Sequence, residues 1–273
     1  MITTIKQIAT QLQAVYPADE AEALAWWIME ESTGLSRTQL QIGCKGTTNF
    51  LNLQEQIDRL LHFEPIQYIF GHTLWAGLDL KVTPATLIPR PETAELMERI
   101  AKVHANATIR VLDIGTGSGC IAIALKKRHP KWHVTGIDIS AEAIEVAKEN
   151  ALRNEVEVEF RQCDIFSDGI ESFGTFDIVV SNPPYICESE KSSMRKNVLE
   201  FEPHSALFVP DNDPLRFYRR IASIHLGTYL FFEINEHFPD EIEDLLHRNG
   251  YTDIQITKDI YGKPRIIEGR MVG

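Results

Sequence analysis

The motif Asn182-Pro183-Pro184-Tyr185 follows directly after the apolar run Phe176–Ser181. An apolar run that ends in two prolines predicts a buried strand that stops abruptly, because proline lacks an amide N–H and cannot continue a β-ladder. The Asn182 amide oxygen and the Pro183 carbonyl can accept both hydrogens of a substrate NH2 group, while the Tyr185 ring stacks on its plane. The motif therefore predicts chemistry at a nitrogen atom, although these four residues alone are equally compatible with a tight turn.

A glycine-rich loop, Gly115-Thr116-Gly117-Ser118-Gly119, follows another predicted strand and opens a helix. Its alternating glycines allow a tight turn and let a ligand approach the backbone without meeting a Cβ atom. The loop does not match the NAD fingerprint, which requires glycine where Cys120 stands, and no Gly-Lys-Ser/Thr follows as in a P-loop. The spacing favours a ligand that carries an amino acid and a nucleoside, and the alternative is a turn that binds nothing.

Carboxylates end two further predicted strands. Asp138 lies about 20 residues beyond the glycines, where a carboxylate can accept both hydroxyls of a ribose. Asp164 can accept an adenine amino group, and Phe166 can stack on that ring or form a wall of its pocket. Asp138 as a helix-start carboxylate and Phe166 as a core aromatic remain the alternatives. Since parallel strands present their carboxyl ends at one edge of a sheet, we expect all four strand ends to form a single site.

From residue 109 onward the pattern alternates between strand, turn and helix. The predicted strands are Arg110–Ile114, His133–Ile137, Val156–Arg161, Phe176–Ser181 and Thr228–Ile234, with helices such as Cys120–Arg128 and Ala141–Leu152 between them. The chain then predicts a closing antiparallel pair, Ile254–Lys258 with Arg265–Glu268. This alternation indicates an α/β fold with a mostly parallel sheet, helices on both faces and an antiparallel C-terminal strand.

The first ~70 residues predict a small helical bundle, since no strand pattern interrupts them. Ile5, Ile8, Leu12 and Val15 recur at helical spacing, and the next helix, Ala18–Glu31, should turn Leu24, Trp27 and Ile28 inward. Shorter helices are predicted at Ser36–Leu40 and Leu51–Phe63, and a hairpin at residues 73–83. The segment Leu87–Thr93 then leads into a helix that runs through Ala101. We therefore expect a helical domain at 1–72, a hairpin linker at 73–89 and an α/β domain at 90–273.

Composition narrows the class of function. The 273 residues carry 27 Lys and Arg against 39 Asp and Glu, a net charge of −12, which argues against binding through many phosphates. The densest basic run, Lys126-Lys127-Arg128, ends a predicted helix, where positive charge suits the helix dipole. We expect no direct contact with nucleic acid.

Four separated cysteines form no CxxC pair, and the histidines form no HxxxH motif, so we expect no metal site. No signal-peptide pattern opens the chain, and no run of about 18 apolar residues occurs. We expect a cytoplasmic protein with free thiols and no membrane segment.

At this point the chain resembles the class I S-adenosylmethionine-dependent methyltransferases and, more narrowly, the release-factor glutamine methyltransferases (the PrmC/HemK family). The residues that carry the resemblance are Glu64–Gly71, Ile88–Thr93, Asp113–Gly119, Asp177–Ile186, Glu202-Pro203 and Ala206-Leu207. The resemblance implies a Rossmann-like catalytic domain, S-adenosylmethionine as the methyl donor and S-adenosylhomocysteine as its product. It further implies a helical domain that docks the protein substrate, and methylation of the glutamine nitrogen in the Gly-Gly-Gln motif of peptide-chain release factors.

The resemblance implies roles for named residues. The cofactor would contact Gly115, Thr116, Gly117, Ser118, Gly119, Asp138, Asp164, Phe166 and Asn182, and the substrate Asn182, Pro183, Pro184 and Tyr185. Asn182, Pro183 and Tyr185 would be catalytic. Ala94, Met97 and Asn235 depart from the family pattern, which puts local packing or substrate docking in doubt rather than the chemistry.

Other functions stay open at this level. The same pocket would suit a glutamine methyltransferase of a ribosomal protein or an adenine-N6 DNA methyltransferase, although the latter should show a basic groove. A binding module that has lost catalysis is the alternative from another class. No histidine or carboxylate lies next to Asn182 in the sequence, so we expect no dedicated strong base, with the proton leaving the nitrogen after methyl transfer.

Overall fold

A computed structural model describes residues 2–44, 52–103 and 108–271. The helices are α1 Ile2–Leu12, α2 Ala18–Thr33, α3 Arg37–Gln41, α4 Leu53–Leu61, α5 Ile66–Phe70, α6 Pro91–Val103, α7 Cys120–Arg128, α8 Ala141–Arg153, α9 Lys196–Phe201, α10 Arg216–Ser223 and α11 Pro239–Arg248. The strands are β1 His72–Trp75, β2 Leu78–Lys81, β3 Arg110–Ile114, β4 His133–Asp138, β5 Glu159–Gln162, β6 Phe176–Ser181, β7 Ile186–Cys187, β8 Phe208–Val209, β9 Gly227–Glu233, β10 Tyr251–Lys258 and β11 Pro264–Met271.

The chain forms two compact units. The helical unit comprises Met1–Gly71 with Arg195–Phe201, and the sheet unit comprises His72–Met194 with Glu202–Gly273. In the helical unit, Leu12, Ala25 and Leu60 are among the fully buried side chains that form one hydrophobic core. Among the described residues, no helix is both long and apolar enough to cross a membrane.

The helical unit corrects several details of the sequence prediction. Val15 lies beyond the end of α1 and is exposed, so it does not extend the buried stripe. In α2, Ile28 is buried, but Trp26 is the buried tryptophan, while Leu24 and Trp27 are only half-buried. The reason is that Ala21 and Ala25 set the inward face, which rotates Trp27 toward its edge. Helix α5 was not predicted, and Leu51, the predicted start of α4, lies outside the described residues.

The sheet unit is built on a seven-stranded sheet with the order β10-β11-β9-β6-β3-β4-β5. The five strands from β9 to β5 run parallel, and β11 runs antiparallel to both β9 and β10. The predicted α/β class and the closing antiparallel pair are thus confirmed. Strand β5 begins at Glu159, three residues later than predicted, because residues 156–158 precede the ladder with β4.

Both faces of this sheet are covered. In β3, Val111 belongs to one hydrophobic cluster and Leu112 to the other, and in β6 the same alternation places Val180 and Val179 on opposite sides. Burial on both faces is why these strands are continuous apolar runs. The chain moves from β3 outward through β4 to β5 and then returns to place β6 on the other side of β3. Ligands of open α/β sheets bind at such a switch point, beyond the carboxyl ends of the strands.

One buried side chain attaches the β1–β2 hairpin to the glycine loop. Asn150 on α8 accepts a hydrogen bond from the Lys81 N–H (2.6 Å) and donates to the carbonyls of Lys81 (2.9 Å) and Ser118 (2.8 Å). The side chain is fully buried, and these bonds satisfy both of its N–H donors and its amide oxygen without water. The hairpin therefore belongs to the support of the glycine loop.

Candidate active site

A cavity of about 440 Å³ opens at the carboxyl edge of the sheet, within the sheet unit. Of the residues that the sequence predicted for the site, those on its wall are Gly115, Thr116, Gly117, Ser118, Asp138, Asp164, Phe166, Asn182, Pro183 and Pro184. Gly119 and Tyr185 are not among the lining residues. Segments that were not assigned to the site also contribute, notably Ala85–Leu87 with Pro89, Arg90 and Thr93.

The glycines of the loop after β3 serve different purposes. All three have positive φ, +72° at Gly115, +54° at Gly117 and +81° at Gly119, a region that side chains disfavour. A Cβ atom on Gly115 or Gly117 would meet nothing within 4 Å, whereas one on Gly119 would lie 3.0–3.1 Å from the side chains of Ile123, Ala147 and Phe160. Gly119 thus permits close packing of α7 against its neighbours, and the first two glycines leave space beside the cavity.

Asp138 ends β4 and is held by backbone donors. One carboxylate oxygen accepts from the Gly117 N–H (2.9 Å) and the other from the Ser140 N–H (3.0 Å), while the Ser140 hydroxyl accepts from the Ala143 N–H (3.1 Å) and caps α8. Burial raises the pKa of Asp138 above its usual value. Each carboxylate oxygen has a further lone pair, so the group can still accept hydroxyl donors from the cavity.

Asp113 lies under the glycine loop and is completely buried. The Thr116 hydroxyl donates to Asp113 Oδ2 (2.7 Å), whereas Asp113 Oδ1 and the buried Ser118 hydroxyl have no hydrogen-bond partner within the described chain. Burial raises the pKa of Asp113 to about 7. The loop therefore rests on a carboxyl group that favours its neutral form more than an ordinary aspartate does.

The loop after β5 supplies an exposed aromatic face. Phe166 is 39% exposed and lines the cavity, which contradicts the alternative that it is a core aromatic. The Phe217 ring lies 5.3 Å away at 60°, and the Arg216 guanidinium lies 4.8 Å from the Phe166 ring centroid. The Asp164 side chain accepts from the Phe166 N–H (2.9 Å), which holds the carboxylate against the Phe166 backbone.

Asn182 belongs to a buried hydrogen-bond chain, the Asn182–Glu233 relay. Asn182 Nδ2 donates to Thr93 Oγ1 (3.2 Å), the Thr93 hydroxyl donates to Glu233 Oε2 (2.7 Å), and the Tyr185 hydroxyl donates to Glu233 Oε1 (3.0 Å). Thr93 lies in the first turn of α6 and is 2% exposed. The relay joins residues from α6, from the end of β9 and from the loop after β6.

Tyr185 does not occupy the expected position. Its ring packs against the hydrophobic cluster that contains Val179, and burial raises the pKa of its hydroxyl well above the usual range. Asn235, a departure from the family pattern, donates to the Tyr185 carbonyl (3.0 Å) and to Glu190 Oε1 (3.1 Å). Tyr185 is not among the residues that line the cavity and its hydroxyl bonds inward to Glu233, so the stacking role of its ring stays a prediction.

Glu233, like Thr93, belongs to the relay but was not among the site residues predicted from the sequence. It is 1% exposed, and burial raises its pKa, an effect that Glu92 reinforces and that Thr93, Tyr185 and Arg265 oppose. It forms no ion pair within 4 Å in the described part of the chain. The signal was available, because a carboxylate that ends an apolar run such as Tyr229–Phe232 must lie at the carboxyl edge of the sheet.

Two segments that carried the family resemblance meet in one ion pair. The Arg90 guanidinium donates to Glu202 Oε1 (2.6 Å), and the Ile88 N–H donates to Glu202 Oε2 (3.2 Å). Glu202 is 4% exposed, and Arg90 lines the cavity. The pair therefore fixes the segment that precedes α6 and forms part of the cavity wall.

A parallel sheet with a glycine loop, a carboxylate after the second strand and a primary amide after the fourth defines an α/β methyltransferase. Residues 92–201 match the model of the Methyltransferase small domain, and residues 3–71 match that of the PrmC N-terminal domain. The chain is 45% identical to the release factor glutamine methyltransferase of Bacteroides thetaiotaomicron, over 95% of this chain and 96% of that protein. It is 40% identical to the protein of the same name from Flavobacterium psychrophilum, over 96% of each.

The chain belongs to the release factor glutamine methyltransferase family. Among solved structures, a methyltransferase from Pyrococcus furiosus matches 81% of this chain and 100% of its own, at 19% identity and a TM-score of 0.51. At that identity the match concerns the fold alone.

Proposed function

We propose that this protein transfers the methyl group of S-adenosylmethionine to the side-chain nitrogen of the glutamine in the Gly-Gly-Gln motif of peptide-chain release factors. The observation that carries the proposal is the position of Asn182. Its amide lies on the wall of the same cavity as the glycine loop and Asp138, and its oxygen accepts no hydrogen bond from the described residues. One cavity thus offers a nucleoside site and an acceptor for an N–H group.

The residues present fit S-adenosylmethionine. Gly115 and Gly117 leave open space where side chains would otherwise stand, Asp138 retains acceptor capacity for ribose hydroxyls, and Phe166 exposes an aromatic face. When bound, the cofactor supplies a methyl group activated by its sulfonium. Asp164, which lines the cavity beside Phe166, would accept the exocyclic amino group.

The acceptor side of the cavity must overcome the weak nucleophilicity of a carboxamide, whose nitrogen lone pair is delocalised into the carbonyl. The Asn182 oxygen and the Pro183 carbonyl would accept the two N–H groups and orient the lone pair toward the methyl carbon. A carbon–nitrogen bond then forms, the carbon–sulfur bond breaks with its electrons remaining on sulfur, and one proton leaves the nitrogen. Alignment of this kind is worth several kcal/mol of barrier, about 7 or more in well-oriented systems.

A general base is not needed beside the nitrogen. Glu233 is separated from Asn182 by the Thr93 hydroxyl, and both of its oxygens already accept hydrogen bonds. The developing positive charge makes the N–H protons acidic, so water can take one after transfer. We therefore assign Glu233 no role as proton acceptor.

The helical unit would dock the release factor, as its match to the PrmC N-terminal domain supports. The acidic net charge of −12 favours a protein partner over direct binding of nucleic acid, and translation termination would place the activity in the cytoplasm. A glutamine methyltransferase of a ribosomal protein is the second candidate, since it would use the same pocket.

Incubation with radiolabelled S-adenosylmethionine tests the proposal. Intact release factor, ribosomal proteins and DNA are supplied in parallel, and the labelled residue is mapped by peptide mass spectrometry. We expect label only on the glutamine of the Gly-Gly-Gln segment. Label on a ribosomal protein or on DNA alone, or no transfer at all, would contradict the assignment. The matched control is Asn182→Ala, which we expect to transfer no label.

A further inference from the structure

The Asn182–Glu233 relay has a direction. A threonine hydroxyl has one proton, and Thr93 donates it to Glu233 Oε2 at 2.7 Å. The Thr93 oxygen can therefore only accept on the side that faces Asn182. Asn182 consequently presents its NH2 group to Thr93, at 3.2 Å, and not its oxygen.

This direction decides what Asn182 offers to a ligand. Because one N–H of the Asn182 amide donates to Thr93, the amide is turned so that Oδ1 is its acceptor on the side of the cavity that Asn182 lines. An oxygen acceptor attracts the NH2 group of a glutamine and repels the oxygens of a glutamate. The reversed amide would attract glutamate and repel the NH2 of glutamine.

Glu233 sets the direction because it is an acceptor at both ends. Its two oxygens receive the hydroxyls of Thr93 and Tyr185, which is the pattern of an ionised carboxylate. Burial raises the pKa of Glu233, and the hydrogen bonds from Thr93 and Tyr185, followed by the charge of Arg265, favour its ionised form against that effect. Burying a carboxylate without a direct ion pair is costly, so a buried glutamate at this position requires a compensating function.

We propose that Glu233, acting through Thr93, locks the orientation of the Asn182 carboxamide and thereby makes the site accept glutamine and reject glutamate. The inference rests on the proposed function, in which Asn182 accepts the substrate N–H groups. Thr93 and Glu233 are positioning residues, since they act through Asn182. Tyr185 contributes by holding the second oxygen of Glu233.

The test compares Thr93→Val, which removes the hydroxyl and keeps the shape, with Thr93→Ser, which keeps the hydroxyl and removes a methyl group. Each variant is assayed with intact release factor as substrate. A release factor whose Gly-Gly-Gln glutamine is replaced by glutamate serves as a non-reactive competitor. The measured quantities are kcat, KM, the inhibition constant of the glutamate competitor and the cofactor dissociation constant.

In the wild-type protein and in Thr93→Ser we expect the glutamate competitor to bind much more weakly than the glutamine substrate. In Thr93→Val the amide can rotate, so the ratio of the two affinities should fall about tenfold, as the loss of one specific hydrogen bond predicts. We expect kcat to fall by a similar factor and cofactor affinity to stay unchanged. Retained discrimination in Thr93→Val, or an equal loss in Thr93→Ser, would overturn the inference.

NMR spectra of protein with 15N-labelled asparagine measure the chemical shifts of the Asn182 NH2 protons directly. In the wild-type protein, one Asn182 NH2 proton should show the downfield shift of a hydrogen bond, and this shift should be absent from Thr93→Val and present in Thr93→Ser. If Thr93→Val does not fold, as judged by cofactor binding, Thr93→Ala replaces it. Wild-type protein that methylates no release-factor glutamine would defeat the proposed function itself, whereas normal methylation with unchanged variants would defeat only this inference.

Discussion

Gly119→Ala should lower the free energy of unfolding more than Gly117→Ala does and leave the affinity for S-adenosylmethionine nearly unchanged. Gly117→Ala should instead weaken the binding of S-adenosylmethionine. Both glycines belong to the loop that the sequence predicted as one cofactor-binding unit. They differ in what surrounds the position of a Cβ atom. At Gly119 that atom would lie 3.0 Å from Ile123 and 3.1 Å from both Ala147 and Phe160, and at Gly117 it would meet nothing within 4 Å.

The stability cost can be separated into strain and crowding. Gly119 has φ +81°, and an alanine forced into that region costs about 1–2 kcal/mol. Three contacts shorter than normal add an overpacking cost of about 1–3 kcal/mol, because Phe160 and Ala147 are themselves packed in the core. Gly262 is the matched control, since its φ is +80° and its Cβ would meet nothing within 4 Å. Gly262→Ala should therefore lose only the strain component.

The assay has two readouts. Urea unfolding gives the free energy of unfolding, and calorimetric titration of the folded protein gives the affinity for S-adenosylmethionine. Gly119→Ala should be the least stable variant but bind cofactor nearly as well as wild type, because Gly119 does not line the cavity. Gly117→Ala should be about as stable as Gly262→Ala and bind cofactor about 10-fold or more weakly, since a methyl group would enter the cavity wall.

The comparison refutes the assignment under two outcomes. If Gly119→Ala is no less stable than Gly262→Ala, the short contacts do not determine the requirement for glycine. If Gly119→Ala weakens cofactor binding as much as Gly117→Ala does, both glycines act on the ligand and the division between them is wrong.

Three further outcomes are expected. Asn182→Ala should abolish methyl transfer while leaving cofactor affinity nearly intact, and a parallel loss of cofactor binding in calorimetry would contradict its role on the acceptor. Asp138→Ala should weaken cofactor binding about 10–100-fold, because a charged acceptor for two hydroxyls is lost, and an unchanged dissociation constant would exclude the ribose contact. Asp113 has a pKa raised to about 7, so its neutral form favours folding and its contribution is lost as the pH rises. The unfolding free energy of Asp113→Asn minus that of wild type should therefore increase from about pH 4 to about pH 8, by up to ~4 kcal/mol; a difference that does not depend on pH would refute the shift.

The sheet and the strand-end residues could be predicted because they depend on local patterns. Runs such as Phe176–Ser181 have the length and the apolar content of a strand buried on both faces, and the residues after them must lie at one edge of a parallel sheet. Asp138, Phe166 and Asn182 were therefore placed correctly on a common cavity from their positions after strands. Neither the order of the strands nor their side-chain partners was needed for that step.

The relay could not be predicted in this way. Thr93 and Glu233 are 140 positions apart in the chain, and their contact depends on how α6 docks beside β9. For the same reason, spacing alone could not show that Tyr185 turns toward the core or that Asn150 supports the glycine loop. Partners of this kind follow from the register between strands and from helix packing, which a single-sequence pattern does not contain.

The register of two strands explains why different residues recognise the methyl donor and the methyl acceptor. Ser181 of β6 pairs with Phe232 of β9 in parallel register. Asn182 and Glu233 therefore each lie one residue beyond the same pair, at the same level along the strand direction. The residues that fit the cofactor follow β3, β4 and β5, on the other side of the switch point. A substitution at Thr93 or Glu233 thus alters which acceptor Asn182 can hold and leaves the glycine loop and Asp138 untouched. Selection of an amide over a carboxylate is consequently a property of the β6–β9 half of the sheet, reached through a carboxylate that never contacts the substrate.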